Sequence, residues 1–337
     1  VESRGLGDVY KRQEYRNNLY SLWTNYCVSE SYEPGSTFKP VTVASALEEG
    51  VVKDGDTYVC KGFETVADYK LKCHVFSTIG SHGSLTVEQA LMNSCNPYMI
   101  HLALEMGNSR FAYYQSLFGF GKTTGIDLPG ETTGIVYGDR MTTIDAACNS
   151  FGQTINVNMM QMMAAYCSII NGGMLYQPHI VKRIESANGE VVKEYKANLV
   201  RQTITASTSK LLRRYLKNTV EEGTAKKAGV TGYSVAGKTG TAQKGDRKDN
   251  KWIISFIGHA PAENPKFAIY VVIDEPYGTT GTSGSSADVL TLTHNILEKL
   301  LPYMNVYKDA SDEYEDTSSS PDELTVDGIP AGTASSN

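Results

Sequence analysis

Two apolar stretches of the chain have the spacing of buried helices. Residues 36–49 carry apolar side chains around nearly the whole circumference, which predicts a helix inside the protein. Pro40 falls in its first turn, where a missing N–H costs little, and Gly50 follows as a C-terminal cap. The Met-rich run "NMMQMMAAYCSIINGG" predicts a second core helix that ends at Gly172.

A third helical pattern is interrupted. It covers residues 85–93, breaks at Ser94-Cys95-Asn96 and resumes over residues 97–106, before Gly107. The three residues in the break are therefore predicted to form an elbow between two helices.

The periodicity changes after Thr231. The runs "YSVAGKTGTAQ", "WIISFIGHA" and "FAIYVVID" are rich in β-forming residues and are joined by polar connections, which predicts consecutive antiparallel strands. A helix is expected over residues 286–301. The end of the chain is acidic and rich in Ser, Gly and Pro, so residues 305–337 are predicted to be a disordered tail or linker.

Composition narrows the classes of function. The chain has 337 residues, a formal net charge of −6 and a pI near 5.6, which argue against a surface that binds nucleic acid. No window approaches about 18 consecutive apolar residues, so no bilayer-spanning segment is expected.

The first residues of the chain differ in character from the rest. Residues 1–13, "VESRGLGDVYKRQ", are interpreted as the translation of a sequencing-library adaptor. We therefore expect a natural anchor or domain upstream of residue 14.

The segment "GYSVAGKTGTAQ", residues 232–243, fits two motifs. It matches a Walker A nucleotide-binding loop that ends in Lys238-Thr239, and Lys238-Thr239-Gly240 matches the third signature of penicillin-recognising serine enzymes. A Walker A loop needs a helix that starts at its lysine. The residues after Lys238 are poor helix formers and lead into another strand, which favours the second motif.

That second interpretation predicts two more motifs, and both are present in the expected order. Ser36-Thr37-Phe38-Lys39 is Ser-x-x-Lys at the start of the buried helix, and Ser94-Cys95-Asn96 is Ser-x-Asn at the elbow. Ser-x-x-Lys is expected about once by chance in a chain of this length, and residues 207–210 match it too. The order of the three motifs and their structural settings favour a serine enzyme.

Several further segments carry a family resemblance. Together, "YEPGSTFKP", "NSCNP", "GIDLPGE", "NGGMLYQPHIV", "EEGTAKKA" and "AGKTGTAQ" resemble the transpeptidase domain of class B penicillin-binding proteins, of the division or sporulation type, over residues 14–304. The resemblance implies an α/β (α+β) fold, in which an antiparallel sheet flanked by helices joins an all-helical lobe, with the active site between them. The implied activity is a cofactor-free DD-transpeptidase.

The same resemblance implies a cellular setting. The expected location is the outer face of the bacterial cytoplasmic membrane, through an anchor missing from this chain. The expected substrates are peptidoglycan stem peptides and lipid-linked precursors, and the expected inhibitors are β-lactams. Division or sporulation wall-synthesis proteins are the implied partners.

The first two motifs suit acyl transfer by a serine. One helical turn separates Ser36 from Lys39, so the amine can lie beside the serine oxygen, and burial lowers a lysine pKa enough for the neutral amine to accept a proton. The resemblance implies that Ser94 passes a proton toward the leaving amine and that Asn96 holds the substrate amide. It also implies an oxyanion hole made by the amides of Ser36 and Thr241. Without such a function, Ser36 caps the helix and Lys39 extends into solvent.

The strand motif suits a substrate carboxylate. Lys238 supplies positive charge, Thr239 and Thr241 supply hydroxyls, and Gly240 lets the backbone come close. An edge strand here can also pair with an extended peptide. The alternative for Lys238 is a solvated strand lysine.

Three cysteines and a histidine lie within or between the first two motifs, namely Cys60, Cys73, His82 and Cys95. Three hypotheses stay open: a disulfide between Cys73 and Cys95 or between Cys60 and Cys73 that acts as a redox switch, a Zn²⁺ site, or unpaired thiols. The lack of a closely spaced Cys-x-x-Cys pair weakens the metal hypothesis.

Two rival functions also stay open. A serine β-lactamase needs a base for its deacylating water, and Glu105 is the nearest candidate. A non-catalytic penicillin-binding sensor is the other, but the intact Lys39, Ser94 and Asn96 argue against it.

Overall fold

The computed structural model describes residues 10–13, 15–16, 19, 22–245, 251–276 and 285–310. Its helices are α1 (Tyr26–Ser29), α2 (Lys39–Glu49), α3 (Val87–Met92), α4 (Asn96–Met106), α5 (Asn108–Leu117), α6 (Thr143–Asn149), α7 (Met159–Ile170), α8 (Ala206–Glu221) and α9 (Ala287–Tyr303). Short 3₁₀ turns lie at Gly35–Phe38, His74–Ser77, Gly138–Arg140 and Lys226–Ala228.

The strands pair antiparallel throughout the described residues. They are β1 (Thr57–Cys60), β2 (Phe63–Val66), β3 (Tyr69–Lys72), β4 (Gly83–Thr86), β5 (Met174–Gln177), β6 (Arg183–Glu185), β7 (Val191–Glu194), β8 (Asn198–Gln202), β9 (Ala236–Lys244), β10 (Lys251–Ala260) and β11 (Phe267–Asp274). The largest sheet has the order β11-β10-β9, and the others are two-stranded.

Helix α2 lies at the centre of the helical lobe, as its apolar circumference predicted. It packs against α3, α4, α5, α7 and α8, and Gly50 ends it in the left-handed conformation. Its predicted start at residue 36 was wrong, because a 3₁₀ turn over Gly35–Phe38 precedes the α-helix. Pro40 has no N–H for an α-helical bond to the Ser36 carbonyl, and the Lys39 N–H donates to that carbonyl instead.

The predicted elbow is confirmed with small changes at its borders. Residues 85–86 belong to β4 rather than to a helix, because the Thr86 side chain caps α3 in a reciprocal arrangement with Gln89. Helix α4 begins at Asn96, one residue earlier than predicted.

The predicted antiparallel strands are confirmed as β9, β10 and β11, and the predicted final helix as α9. Helix α9 covers one face of this sheet, where Ile254 and Phe256 pack against Leu297 and its neighbours. Ile257 points to the helical lobe on the other face. The sheet is thus enclosed by helices, in agreement with the expected α+β architecture.

A buried hydrogen bond joins the helical lobe to the sheet. The Tyr166 hydroxyl of α7 lies 2.8 Å from Nδ1 of His259 on β10, and His259 Nε2 lies 3.0 Å from the Ala262 carbonyl oxygen. Burial lowers the pKa of His259 to about 4. The imidazole is therefore neutral at pH 7, so Nε2–H donates to Ala262 and Nδ1 accepts from Tyr166.

None of the described helices is both long and apolar enough to cross a bilayer. Most of the predicted tail, residues 311–337, lies outside the described residues. Of residues 1–13, only 10–13 are described.

Candidate active site

The turn that carries Ser36 lies directly against strand β9. Gly35 has a φ of +57°, and a Cβ atom added to it would lie 2.5 Å from the Thr241 carbonyl oxygen. A Cβ added to Gly240 would lie 2.9 Å from the Pro34 carbonyl oxygen. Real Cβ atoms do not approach backbone this closely, so glycine is required on both sides of the contact.

Two further contacts hold this turn in place. The Gly35 N–H donates to the Gly152 carbonyl at 2.9 Å, and a Cβ added to Gly152 would overlap the Gly35 carbonyl. The Thr37 hydroxyl donates to the Pro34 carbonyl at 2.8 Å and lies 3.3 Å from the Tyr270 hydroxyl. Sequence reasoning missed the roles of Gly152 and Tyr270, because each lies far along the chain from the motif that it supports.

The Lys39 side chain is fully buried and reaches the elbow. Its Nζ donates to the Ser94 carbonyl at 2.6 Å, to Ser94 Oγ at 2.9 Å and to Asn96 Oδ1 at 2.7 Å. The alternative in which this lysine extends into solvent is therefore wrong. Burial lowers the pKa of Lys39 to about 8, and the nearby Cys73 and Cys95 oppose this shift by smaller amounts.

The half-buried Ser36 hydroxyl is linked to this amine through a second serine. Ser94 Oγ donates to Ser36 Oγ at 3.0 Å, which forms a chain from Lys39 through Ser94 to Ser36. We expected the amine to lie directly beside the Ser36 oxygen, but the hydrogen bonds of Lys39 in the described structure go to the elbow. Ser94 adopts a φ of +54°, a conformation rare for a residue with a Cβ. Such strained residues cluster at functional sites.

Asn96 is held by its side chain rather than used as a helix cap. It is the first residue of α4, with Cys95 at the cap position. Its Oδ1 accepts from Lys39, and its Nδ2 donates to the Lys72 carbonyl at 3.3 Å. Asn96 therefore does not cap α4, because the carbonyl oxygen of its side chain accepts a hydrogen bond from the lysine.

Lys238 is fully buried on β9, which excludes the solvated alternative. Burial, followed by the charge of Lys39, lowers its pKa well below the ordinary value. Its Nζ lies 3.2 Å from the Thr239 carbonyl oxygen and 3.3 Å from Thr239 Oγ1. Strand β9 continues to Lys244, so no helix starts at Lys238 and the Walker A interpretation is wrong.

Strand β9 pairs with β10 on one side and lies at the end of its sheet. The register places Gly240 opposite Ser255 and Thr241 opposite Ile254. The turn that carries Ser36 packs against the same strand. The structure therefore brings all three motifs to one place, between the helical lobe and the sheet.

The cysteine and histidine side chains singled out in the sequence also come together. The ligand atoms of Cys60, Cys73, His82 and Cys95 all lie within 4.8 Å of one another, and the three cysteines are not in disulfides. Cys95 belongs to the elbow, so this cluster adjoins the three motifs.

Comparison with known proteins identifies the family. The family model of the penicillin binding protein transpeptidase domain matches residues 6–298. The chain belongs to this family. The resemblance to class B penicillin-binding proteins and the expected fold class are both confirmed.

Individual relatives agree with this assignment. The domain is 41% identical to stage V sporulation protein D of Bacillus subtilis, over 84% of this chain and 44% of that protein. It is 32% identical to the peptidoglycan D,D-transpeptidase FtsI of Escherichia coli K12, over 85% of this chain and 46% of that protein. The chain thus spans less than half the length of these relatives.

A solved structure shows the same fold. The crystal structure of penicillin binding protein 3 from Mycobacterium tuberculosis, complexed with aztreonam, superimposes with a TM-score of 0.76 at 29% sequence identity. The alignment covers 86% of this chain and 66% of that chain.

The close contact between the Ser36 turn and β9 predicts different costs for two alanine substitutions. Gly35 and Gly50 both have positive φ, but an added Cβ meets nothing within 4 Å at Gly50. Gly50→Ala therefore bears only the backbone cost of about 1–2 kcal/mol. Gly35→Ala bears in addition about 1–3 kcal/mol from overpacking. Denaturant unfolding of both variants measures the difference, and equal losses would contradict the described contact.

Proposed function

We propose that this domain is a peptidoglycan DD-transpeptidase that acts through an acyl-enzyme on Ser36. The observation that carries the proposal is the hydrogen-bonded chain Lys39–Ser94–Ser36, in which a buried amine is connected to a half-buried hydroxyl. A serine hydroxyl is a weak nucleophile at neutral pH and needs such a base. The membership of the family and the names of the relatives support the same activity.

The proton of Ser36 has a short route to the amine. When Lys39 is neutral, Ser36 donates its proton to Ser94 Oγ while Ser94 donates its own to Lys39 Nζ, and the serine oxygen attacks the carbonyl carbon of the penultimate D-Ala. The lowered pKa of Lys39 makes the neutral amine available near neutral pH. Return of the proton along the same route to the leaving nitrogen releases D-Ala.

The turn and strand β9 supply the oxyanion hole in this proposal. The backbone amides of Ser36 and Thr241 would donate to the developing oxyanion. Gly35 and Gly240 allow the turn and the strand to approach closely enough for both amides to face one oxygen.

Strand β9 also recognises the substrate. Its edge beside the Ser36 turn pairs with the extended end of the stem peptide, and the terminal carboxylate lies at the hydroxyls of Thr239 and Thr241. Lys238 is close enough to Thr239 to orient its hydroxyl. A substrate carboxylate bound beside this buried lysine would favour its ammonium form, which in turn attracts the carboxylate.

The second half-reaction is attack on the Ser36 ester by an amine of a neighbouring stem peptide, which forms the crosslink and frees the serine. A β-lactam acylates the same serine and stays bound. In the cell, the substrates would be lipid-linked precursors and nascent strands at the outer face of the cytoplasmic membrane. The partners would be division or sporulation wall-synthesis proteins.

The geometry gives no support to a β-lactamase. The base candidate Glu105 has a side chain that is 58% exposed and lies 3.9 Å from His101, one turn earlier on α4. It therefore faces solvent and a neighbouring imidazole rather than a water near Ser36.

Covalent capture of a fluorescent penicillin tests the assigned nucleophile and base. Ser36→Ala should remove capture, and Lys39→Ala should slow it by about 10²–10⁴-fold, because the serine loses its base. The exposed pair Ser207 and Lys210 on α8 has the same spacing and provides a matched control. Ser207→Ala and Lys210→Ala should capture at the wild-type rate. Retained capture by Ser36→Ala would contradict the assignment.

The pKa of Lys39 also predicts a pH dependence. Because the neutral amine is the base, the acylation rate constant at saturating penicillin should rise with pH through about 8 and then level off. Stopped-flow or quench measurements between pH 6 and 9.5 give the profile. A rate constant that is flat over this range would exclude Lys39 as the titrating base.

A further inference from the structure

The loop that leads from α8 toward β9 lies between the elbow and the strand motif, and the proposed reaction does not use it. Its residue Thr224 contacts Met92 at the end of α3 on one side and Thr239 of the strand motif on the other. We propose that Thr224 is a positioning residue, which orients the Thr239 hydroxyl for the substrate carboxylate and connects it to the elbow. The inference rests on the proposed function, in which that hydroxyl receives the carboxylate.

The backbone of this loop packs closely against α3. A Cβ added to Gly223 would lie 2.9 Å from the Met92 carbonyl oxygen and 2.8 Å from the Thr219 carbonyl oxygen. The Thr224 N–H donates to the Met92 carbonyl at 3.2 Å. The Ala225 N–H donates to the Thr219 carbonyl at 3.1 Å. The glycine before Thr224 therefore lets the loop reach the end of α3, and the two backbone bonds fix the point from which the Thr224 side chain extends.

The direction of the hydrogen bonds follows from the donors that are present. Thr224 Oγ1 lies 3.1 Å from the Met92 carbonyl oxygen, which belongs to the last turn of α3 and can only accept. The single proton of the Thr224 hydroxyl is therefore used for Met92. In the contact between Thr224 Oγ1 and Thr239 Oγ1, at 3.5 Å, Thr239 donates and Thr224 accepts.

Two groups together set the orientation of the Thr239 hydroxyl. The Lys238 amine donates to Thr239 Oγ1 at 3.3 Å, and Thr224 accepts from the same hydroxyl. A threonine side chain has few rotamers, and a change of rotamer moves the hydroxyl away from its partners. The two contacts favour the rotamer in which Oγ1 faces both of them. Because 3.5 Å is near the upper limit for a hydrogen bond, Thr239 can turn its proton to a carboxylate oxygen without the loss of a strong bond.

The exposure of the three side chains places this chain at the mouth of the site. Lys238 is fully buried, Thr239 is 7% exposed and Thr224 is exposed. The hydrogen bonds therefore run from the interior of the protein to a loop that faces solvent. Because Met92 lies two residues before Ser94, the same chain connects the carboxylate site to the elbow.

Acylation by penicillin and by its methyl ester separates positioning from support of the fold. Thr224→Val removes the hydroxyl and keeps the shape of the side chain. The dissociation constant of the penicillin complex that precedes acylation should rise about 2- to 10-fold, the contribution of one ordinary hydrogen bond, while the limiting acylation rate constant stays the same. The methyl ester lacks the carboxylate, so its acylation should not change. Stopped-flow or quench measurements over a range of penicillin concentrations give both constants.

Three comparisons show whether the effect comes from the hydroxyl and passes through Thr239. Thr224→Ser and Thr224→Ala differ by one oxygen, so the serine variant should keep most of the affinity that the alanine variant loses, even if the valine variant does not fold. In a Thr239→Val background, Thr224→Val should have no further effect, because no hydroxyl is left to orient. Thr291 on α9 is exposed and also donates its hydroxyl to a backbone carbonyl, and Thr291→Val should match the wild type.

Three results would overturn the inference. One is an unchanged affinity for penicillin in the Thr224→Val and Thr224→Ala variants. The others are an equal loss with the methyl ester and an equal further loss in the Thr239→Val background, which would mean that Thr224 only supports the fold. All three leave the proposed function intact. A wild type that captures no penicillin would instead overturn the proposed function, and this inference with it.

Discussion

The buried amine of Lys39 is the constraint on which the arrangement of the cleft depends. A charged group inside a protein costs several kcal/mol unless it is fully hydrogen-bonded. Here all three ammonium donors find acceptors within 2.9 Å, two on Ser94 and one on Asn96. These acceptors lie on the elbow, so the lysine fixes the elbow against α2. The left-handed backbone of Ser94 persists because these bonds hold it.

Close backbone contacts at three glycines position the Ser36 turn against the sheet, as Lys39 positions the elbow. Gly35, Gly152 and Gly240 let three backbone segments approach more closely than any side chain would permit. The helical lobe and the sheet thereby meet at Ser36. The three motifs, which begin at Ser36, Ser94 and Lys238, thus form one site although they lie far apart in sequence. The buried lysine joins the first motif to the second, and close backbone contact joins the first to the third.

Much of this site can be predicted from local sequence patterns. Apolar periodicity predicts α2 and the strands, and Gly50 and the break at Ser94-Cys95-Asn96 mark where helices end. The route from Lys39 to Ser36 through Ser94 could not be predicted, because it depends on the φ of one residue. The start of the α-helix at Lys39 was missed for a simpler reason. It depends on the N–H that Pro40 lacks, and the spacing of apolar residues carries no information about that group.

Contacts between distant segments were the least predictable. Cys60, Cys73, His82 and Cys95 are separated by twelve, eight and twelve intervening residues, yet the β1–β4 region and the elbow bring their side chains into one cluster. The burial of Lys238 could not be predicted from the sequence of β9 alone, because it depends on other segments, α8 and the Ser36 turn among them, that pack against this strand. The support of Thr37 by Tyr270 comes from a residue 233 positions away.

Transfer of an acyl group from a donor peptide to an amine is the direct test of transpeptidation through Ser36. The domain is incubated with a peptide that ends in D-Ala-D-Ala and with a D-amino acid as acceptor, and products and intact protein are followed by mass spectrometry. We expect release of D-Ala, an acyl adduct on Ser36 and a ligated product that outweighs hydrolysis. Capture of penicillin without any release of D-Ala, or release that yields only hydrolysed donor, would contradict the proposed transpeptidase activity.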